Sequence, residues 1–500
     1  LLQLLGSQND MATIRLDSKN CQKVCGLMRA VELLQAVRYE PAGEKIRFPD
    51  REISGVSIDS RDCREGSVFV CIRGSVCNGS RYAKEAVRHG AKVLVAAKEE
   101  QELIGKILGQ FPECEGVLVE DEREAAALLA ARYEGEPSRS MTMIGVTGTK
   151  GKTTTVSMIR KILSEAGIRT GMIGTTGQFD GKEHLPSEHT TPDAVTLQRS
   201  LARMRKNACR ACVMEVSSQA LKLQRTKGIC FDTGVFLNLG DDHIGRFEHA
   251  DKEEYLACKR KLFLQSREAV VNADDPAWKQ MLAGTGCPFQ TFGIRNGDFR
   301  AVKIRTESFV QGHPGVEFDI GKVHFQIPAP GIFTVYNALA AVRVCMQYGV
   351  TPETAAGSLL DFQVKGRMQF FSIPGGGEAV IDYAHNAMSL ESVLTTLRAY
   401  RPARLITVFG CGGQRAKERR FQMGEVSGRL SDLTVITSDN PRWEAPEAIM
   451  DDIETGVRKT DGKYVRVTDR KEAVKQAVEM AGPGDLVVVA GKGHEKTQEI

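Results

Sequence analysis

A tight glycine-rich turn constrains this chain more than any other stretch: GVTGTKGKTTT, residues 145–155. The apolar run MTMIGVT precedes it, and a helical pattern follows from Lys152 to Ala166. Gly167 then stops the helix, as glycine does just past a C-terminus. In a strand–turn–helix arrangement of this kind, backbone N–H groups and the positive end of the helix dipole face phosphate oxygens. The longer loop spacing G-x-x-x-x-G-K-[ST] fails, because Val146 stands where its first glycine belongs. A shorter G-x-x-G-K-T form is present as Gly148, Thr149, Lys150, Gly151, Lys152 and Thr153, with Thr154 next in line. Lys152 is suited to the β- and γ-phosphates and the Thr153 hydroxyl to Mg²⁺, so ATP or GTP binding is expected.

The rest of the composition narrows the field. With 500 residues and 42% hydrophobic content, the chain can bury ordinary cores and is expected to divide into about three domains. A net charge of +4, without a basic stripe carrying interleaved aromatics, argues against a nucleic-acid partner. Small anionic ligands are expected instead. Long apolar runs and a cleavable leader pattern are both missing, which predicts a soluble, cytoplasmic protein with no membrane insertion. Thirteen cysteines, an odd number, fit reduced thiols better than a disulfide framework. Cys209 and Cys212 form a C-x-x-C without a second pair to complete a zinc site.

Residues 1–27 show little periodicity and are read as an extension outside the fold. Short strands (SGVSIDS, GSVFVCI, KVLVAA) alternate with helical patterns from about 28 to 138, which predicts a small α/β domain. A second, from 139 to 362, begins with the glycine turn, and a third, from 363 to 500, follows GRMQ at 366–369. Both later domains contain apolar strands that end in polar residues. Ligands of parallel α/β sheets bind beyond the carboxyl ends of the strands, so Glu215, Ser217, Asn238, Asp242, His243, Asn272 and Asp274 are candidates to converge. Glu215 offers the hard oxygen that Mg²⁺ requires.

In the helix DKEEYLACKRKLFLQS, Lys259 has Tyr255 and Leu256 one turn before it and Leu262 and Phe263 one turn after. That spacing directs its amine toward a semi-buried face. A desolvated amine favours its neutral form, which reacts with CO₂ to give a cation-binding carbamate. Arg260 has similar neighbours, and periodicity alone does not separate the two.

Taken together, GTKGKTTT, TTP at 190–192, EVSS at 215–218, NLGDDH at 238–243, YLACK, NADDP, PGIFTVYNALAA, GRM, DYAH, FGCGGQR, DNPR and GKGHE resemble the Mur ligase family, in order, over residues 28–500. The resemblance implies three α/β domains: a small N-terminal domain for a UDP-linked substrate, a central mononucleotide-binding domain and a C-terminal Rossmann-like domain for the incoming amino acid. It implies an ATP-dependent ligase in which a carboxylate becomes an acyl phosphate and an amine then displaces phosphate. The expected acid is UDP-N-acetylmuramoyl-L-alanyl-D-glutamate and the expected amine meso-diaminopimelate, within peptidoglycan precursor synthesis, by a monomer.

By the same resemblance, two Mg²⁺ ions would be held by Thr153, Glu215, His243 and carbamylated Lys259, with Lys152, Lys259, His243 and Glu215 as the catalytic set. Asn337, Arg367 and the segment from Asp382 to His385 would face ATP. Ile58, Ser60 and Ser75, Val76 and Cys77 would hold the UDP end, and Thr190, Thr191, Ser217 and Arg225 the muramoyl peptide. Arg415, Asp439, Asn440, Pro441, Arg442, Gly491 and Glu495 would form the amino-acid pocket, where Arg442 can grip a distal carboxylate through a bidentate fork. The pattern departs from the family at Lys150, Leu223 and Gln369, in NAMS after DYAH, in GGQR and in IGRFEH. A lysine-adding or folylpolyglutamate-type ligase, or a nucleotide-binding protein that ligates nothing, remain as alternatives.

Overall fold

The structure is a computed structural model, and it describes residues 28–43, 46–74, 77–240, 245, 249–495 and 497–499. Two compact units meet between Tyr133 and Glu134. The expected extension over 1–27, and the candidates Ser75, Val76 and His243, lie outside the described residues.

The first unit is built on five strands, β1 (Glu40–Pro41), β2 (Gly55–Ser57), β3 (Ser67–Val70), β4 (Ala91–Ala97) and β5 (Glu115–Val119), ordered β1-β5-β4-β3-β2. From β2 through β5 the pairing is parallel. These are short apolar strands that helices cover, the pattern that buries a parallel sheet on both faces. At the start of this unit the backbone pairs Met28 and Arg29 with Ile53 and Glu52, and a short helix then runs from Ala30 to Leu34.

In the second unit the glycine turn joins β6 (Thr142–Thr147) to α1 (Lys152–Glu165). Then come β7 (Thr170–Gly174), β8 (Gly177–Phe179), β9 (His184–Leu185), β10 (Ala211–Glu215), α2 (Ser218–Lys222), β11 (Phe231–Phe236), α3 (Lys252–Leu264), β12 (Ser266–Asn272) and β13 (Phe289–Gly293). Three longer strands follow, β14 (Phe299–Val310), β15 (His313–Ile320) and β16 (Val323–Ile327), before α4 (Ile332–Met346). The strand order is β9-β8-β7-β10-β6-β11-β12-β13-β14-β15-β16. From β7 to β14 the pairing is parallel, which sets β6, β10 and β11 side by side with their carboxyl ends on one edge. Ile159, Ile162 and Leu163 of α1 and Leu339 and Val342 of α4 are buried in the same core.

A second sheet in this unit contains β17 (Gln369–Ser372), β18 (Glu378–Ile381), β19 (Leu405–Phe409), β20 (Leu433–Ile436), β21 (Tyr464–Arg466) and β22 (Leu486–Val489), ordered β17-β18-β22-β19-β20-β21. Only β17 runs antiparallel. The two sheets are pinned by Tyr400. Its hydroxyl lies 2.6 Å from the Thr306 carbonyl oxygen and 2.7 Å from that of Gly315. Between β14 and β15 the register slips at Arg305/Ser308, and a bulge of this kind leaves backbone groups outside the ladder. The tyrosine occupies that irregular stretch.

Candidate active site

Gly151 opens α1 at φ +86°, and a Cβ added there would lie 2.4 Å from Asn337 Oδ1. Glycine is therefore required twice at this position, for the left-handed backbone and for the approach of α4. Asn337 Oδ1 also accepts from Thr155 Oγ1 at 3.2 Å. On the other side, Asn238 just beyond β11 clasps the turn. Its Oδ1 accepts from Lys150 N at 2.9 Å, its Nδ2 donates to Lys150 O at 3.2 Å, and its own carbonyl accepts from Thr149 N.

Two amines converge on one carbonyl. Lys152 Nζ is 2.8 Å, and Lys259 Nζ 3.0 Å, from Gly148 O. Lys259 is only 1% exposed, whereas Arg260 is half-buried, so the fold separates the two residues that periodicity left equivalent. The ammonium of Lys259 lies 4.5 Å from the centre of the Tyr255 ring, and the Tyr255 hydroxyl meets Thr149 Oγ1 at 3.1 Å. Thr153 is buried in the first turn of α1 and Thr154 half-buried beside it.

Glu215 is buried at the end of β10. One carboxylate oxygen accepts from Thr175 N at 2.8 Å and the other from Thr175 Oγ1 at 3.2 Å. Gly174 makes room for it, since a Cβ there would stand 2.4 Å from Glu215 Oε1. Thr175 Oγ1 meets Thr190 Oγ1 at 3.0 Å, and Thr191 Oγ1 donates to the Glu215 carbonyl at 2.8 Å. Ser217 N donates to Thr191 Oγ1, Ser217 Oγ caps α2 by accepting from Ala220 N, and Arg225 Nη1 donates to Thr191 O at 2.7 Å. Glu215, Thr190, Thr191, Ser217 and Arg225 thus form one connected set. Thr175, absent from the sequence reading, links Glu215 to Thr190 in it; its only sequence signal is its place just past β7.

Two of the strand-end residues expected to converge have other partners. Asp274 accepts from the backbone N–H groups of Ile294, Arg295 and Asn296 and from the Tyr336 hydroxyl. Burial pushes its carboxyl up, but these contacts outweigh burial and hold it below the usual carboxylate range. Asn272 donates to Leu237 O inside the sheet. Asp242, like His243, lies outside the described residues.

The second sheet brings its own group. Arg367 lies over the Tyr383 ring at 4.3 Å. Asp382 accepts from Met368 N and Ala384 N; burial raises its pKa, opposed by Arg367. His385 Nδ1 is 2.9 Å from the Tyr383 carbonyl oxygen. The residue is exposed by surface area, yet desolvation by the atoms around the ring, joined by the charges of Lys150, Arg419 and Arg367, presses its pKa down to about 4. Gln369 Oε1 accepts from Gly366 N at 2.9 Å and fixes the turn ahead of Arg367.

Around DNPR, charges of both signs alternate. Arg442, at φ +54°, donates from Nη1 to Gly413 O and from Nε to Glu499 Oε2, both at 2.7 Å. Asn440 Oδ1 accepts from Lys492 Nζ and from Glu499 N, each at 2.9 Å. Asp439 lies 3.8 Å from Arg470 and 3.7 Å from Lys492, and Glu495 2.9 Å from Lys492. A Cβ at Gly491 (φ +108°) would stand 2.9 Å from Asp439 Oδ2, and one at Gly413 would stand 2.0 Å from the Pro441 carbonyl oxygen. Arg415 is exposed beside Gly412. Arg470, Lys492 and Glu499 were not anticipated from the sequence. Lys492 lies inside GKGHE, while Glu499 has no local signal.

In the first unit, Ile58 and Ser60 follow the carboxyl end of β2. Ser60 is buried and its carbonyl lies 2.8 Å from His89 Nδ1. Cys77 is exposed, and its carbonyl accepts from Gly74 N. The Cys209 thiol donates to the Asp180 carbonyl and Cys212 is wholly buried.

Family models match along most of the chain. Residues 52–134 match the Mur ligase family catalytic domain, 146–345 the Mur ligase middle domain, and 366–493 the Mur ligase glutamate ligase domain. The UDP-N-acetylmuramoyl-L-alanyl-D-glutamate--2,6-diaminopimelate ligase of Clostridium botulinum is 37% identical over 461 residues, 91% of this chain and 92% of that protein. Ligase 1 of the same name from Clostridium acetobutylicum is 39% identical over 479 residues, 94% of this chain and 95% of that one. A solved structure of a ligase of that name superposes with a TM-score of 0.65 at 28% identity, covering 95% of both chains. The chain belongs to the Mur ligase family.

Proposed function

We propose that this protein is an ATP-dependent amide-forming ligase that joins meso-diaminopimelate to UDP-N-acetylmuramoyl-L-alanyl-D-glutamate in peptidoglycan precursor synthesis. The observation that carries this reading beyond nucleotide binding is the pocket of alternating charge around Arg442, Asp439, Lys492 and Glu495. It suits a zwitterionic amino acid, and a nucleotide switch has no use for it. The curated relatives named above bear the same activity in their names over nine-tenths of their length.

The chain's residues divide the work. The turn Gly148–Lys152 presents backbone N–H groups to the phosphates, and Lys152 moves from the Gly148 carbonyl to the transferring phosphoryl group. Asn337, Arg367, Asp382 and His385 hold ATP, while Thr190, Thr191, Ser217 and Arg225 aim the acceptor carboxylate at it. The carboxylate oxygen attacks the γ-phosphorus and ADP leaves. The amine, oriented by Arg415, Asn440, Arg442, Gly491 and Glu495, then adds to the acyl carbon and gives up a proton to solvent, and the tetrahedral adduct expels phosphate.

Hard oxygens at Thr153 and Glu215 fit Mg²⁺, and with His243 and carbamylated Lys259 they would hold two such ions. When bound, these ions lessen the repulsion between carboxylate and triphosphate. Carbamylation suits Lys259 electrostatically, because it replaces a like-charge contact with Lys152 by an opposite-charge one. Ile58, Ser60 and the 75–77 segment take the UDP end. The three domains are 28–138, 139–362 and 363–500, in a monomeric cytoplasmic enzyme.

The experiment combines purified protein, ATP, Mg²⁺ and UDP-N-acetylmuramoyl dipeptide with a panel of amines, reading ADP release and the new amide by mass spectrometry. Turnover should need both acid and amine and should favour meso-diaminopimelate. Equal use of lysine defeats the amine assignment, and ATP turnover without acid and amine defeats the ligase.

A further inference from the structure

A separate set of ligating side chains meets at the start of α3. Glu254 and Cys258 are one turn apart on one face of that helix, and His249 stands just before its capping residue, Asp251. One donor atom from each of the three lies within 4.8 Å of the other two. His249 is 1% exposed and Cys258 4%. His249 Nδ1 is 3.9 Å from Glu254 Oε2, while its Nε2 is 2.9 Å from Ser218 Oγ. A partner on the far nitrogen fixes ring orientation in metal-ligating histidines. Glu254 is anchored as well: Oε1 pairs with Lys222 Nζ at 2.7 Å and Oε2 accepts from Ala250 N at 2.7 Å.

One nitrogen, one carboxylate oxygen and one sulfur make a poor set for Mg²⁺, which takes oxygen, and a good one for zinc-class ions. Tetrahedral zinc with bonds of about 2.0–2.3 Å needs ligand atoms about 3.3–3.8 Å apart, so the three groups have only a short distance to close.

We propose that His249, Glu254 and Cys258 form a binding site for a thiophilic divalent cation of the zinc class, distinct from the magnesium positions at the phosphate turn. As the sulfur–metal bond forms, the Cys258 S–H proton leaves to solvent. Thiolate and carboxylate then face the two positive charges of the cation, neutral histidine adds none, and the Lys222 ammonium on Glu254 Oε1 leaves the site with one positive charge in excess. Three protein ligands leave a fourth position for water or an anion. The site bridges α2 and α3, since Ser218 orients His249. Ser218 follows Ser217, and Cys258 precedes Lys259, so a metal here clamps both elements that carry the reaction. Bound zinc is therefore expected to slow turnover.

The test uses the full chain in excess Mg²⁺ and Co²⁺ as the spectroscopic probe. One equivalent should bind with a thiolate-to-cobalt absorption and tetrahedral visible bands. Cys258→Ala should lose the thiolate band and weaken binding by at least about 30-fold, and Glu254→Gln by about 10-fold. In ligase assays, Cys258→Ala should turn over within about twofold of wild type without zinc and resist Zn²⁺ at least about tenfold better. No thiolate band in wild type, the same band in Cys258→Ala, or unchanged zinc sensitivity overturns the proposal. The absorption needs no turnover, so it reads the site even if the ligase reading fails.

Discussion

Arg442 donates from Nε to Glu499 Oε2 at 2.7 Å while its Nη1 donates to Gly413 O. A guanidinium has five N–H donors; these contacts use two and leave three for a ligand, in a plane fixed from two sides. Glu499→Ala should raise the KM for meso-diaminopimelate about tenfold, about 1.4 kcal/mol, with kcat within about twofold. Arg442→Ala should raise it by about 100-fold, because a charge-assisted fork is lost. The Glu499 carboxylate is largely exposed, so chemical denaturation of Glu499→Ala should shift by less than about 1 kcal/mol. Equal losses in kcat and KM would point to a damaged fold.

Gly151→Ala tests the turn. The left-handed backbone and the 2.4 Å approach to Asn337 Oδ1 should together cost about 1–3 kcal/mol. Urea unfolding measures that cost, and ADP release should fall at least about 100-fold. Wild-type turnover in Gly151→Ala would mean that the turn tolerates a displaced α4.

Lys259 and Lys152 share one carbonyl acceptor, which makes modification of Lys259 testable without assaying activity. Protein equilibrated with ¹³CO₂ should show a carbamate resonance that Lys259→Ala lacks. That variant should lose on the order of 10²–10³ in kcat. Full activity in Lys259→Ala would remove the residue from the mechanism.

His385 supplies a pH prediction. With its pKa held at about 4, it is neutral across pH 5–8 in the folded protein, whereas the unfolded chain protonates it near 6.5. Unfolding therefore takes up a proton below about pH 6.5. The stability associated with the neutral ring is complete above that value and is lost as pH falls toward 4. An NMR titration should place the His385 inflection near 4, and an inflection near 6.5 would contradict the desolvated environment.

Much of this site could be read from the sequence because its parts are local. The glycine turn, EVSS and DNPR each place a special backbone or a charged group next to an apolar strand, and strand ends gather where a parallel sheet aligns them. Residues joined only by the fold were not readable. Thr175 reaches Glu215 across 40 positions and Glu499 reaches Arg442 across 57. The antiparallel ribbon β14–β16 went unrecognised; in its first pair, β14 with β15, bulges interrupt the alternation on which a strand is recognised. Lys259 shows the converse: helical spacing gave two candidates, and only packing against Tyr255 and the turn chose between them.

The side chain that sets the width of the phosphate turn, Asn337, arrives 186 positions after Gly151. A ribosome that has released the whole of GTKGKTTT has therefore not yet made a nucleotide cradle. The turn's final shape waits for α4, so even this part of the ATP site is complete only after the entire eleven-stranded sheet has been synthesised.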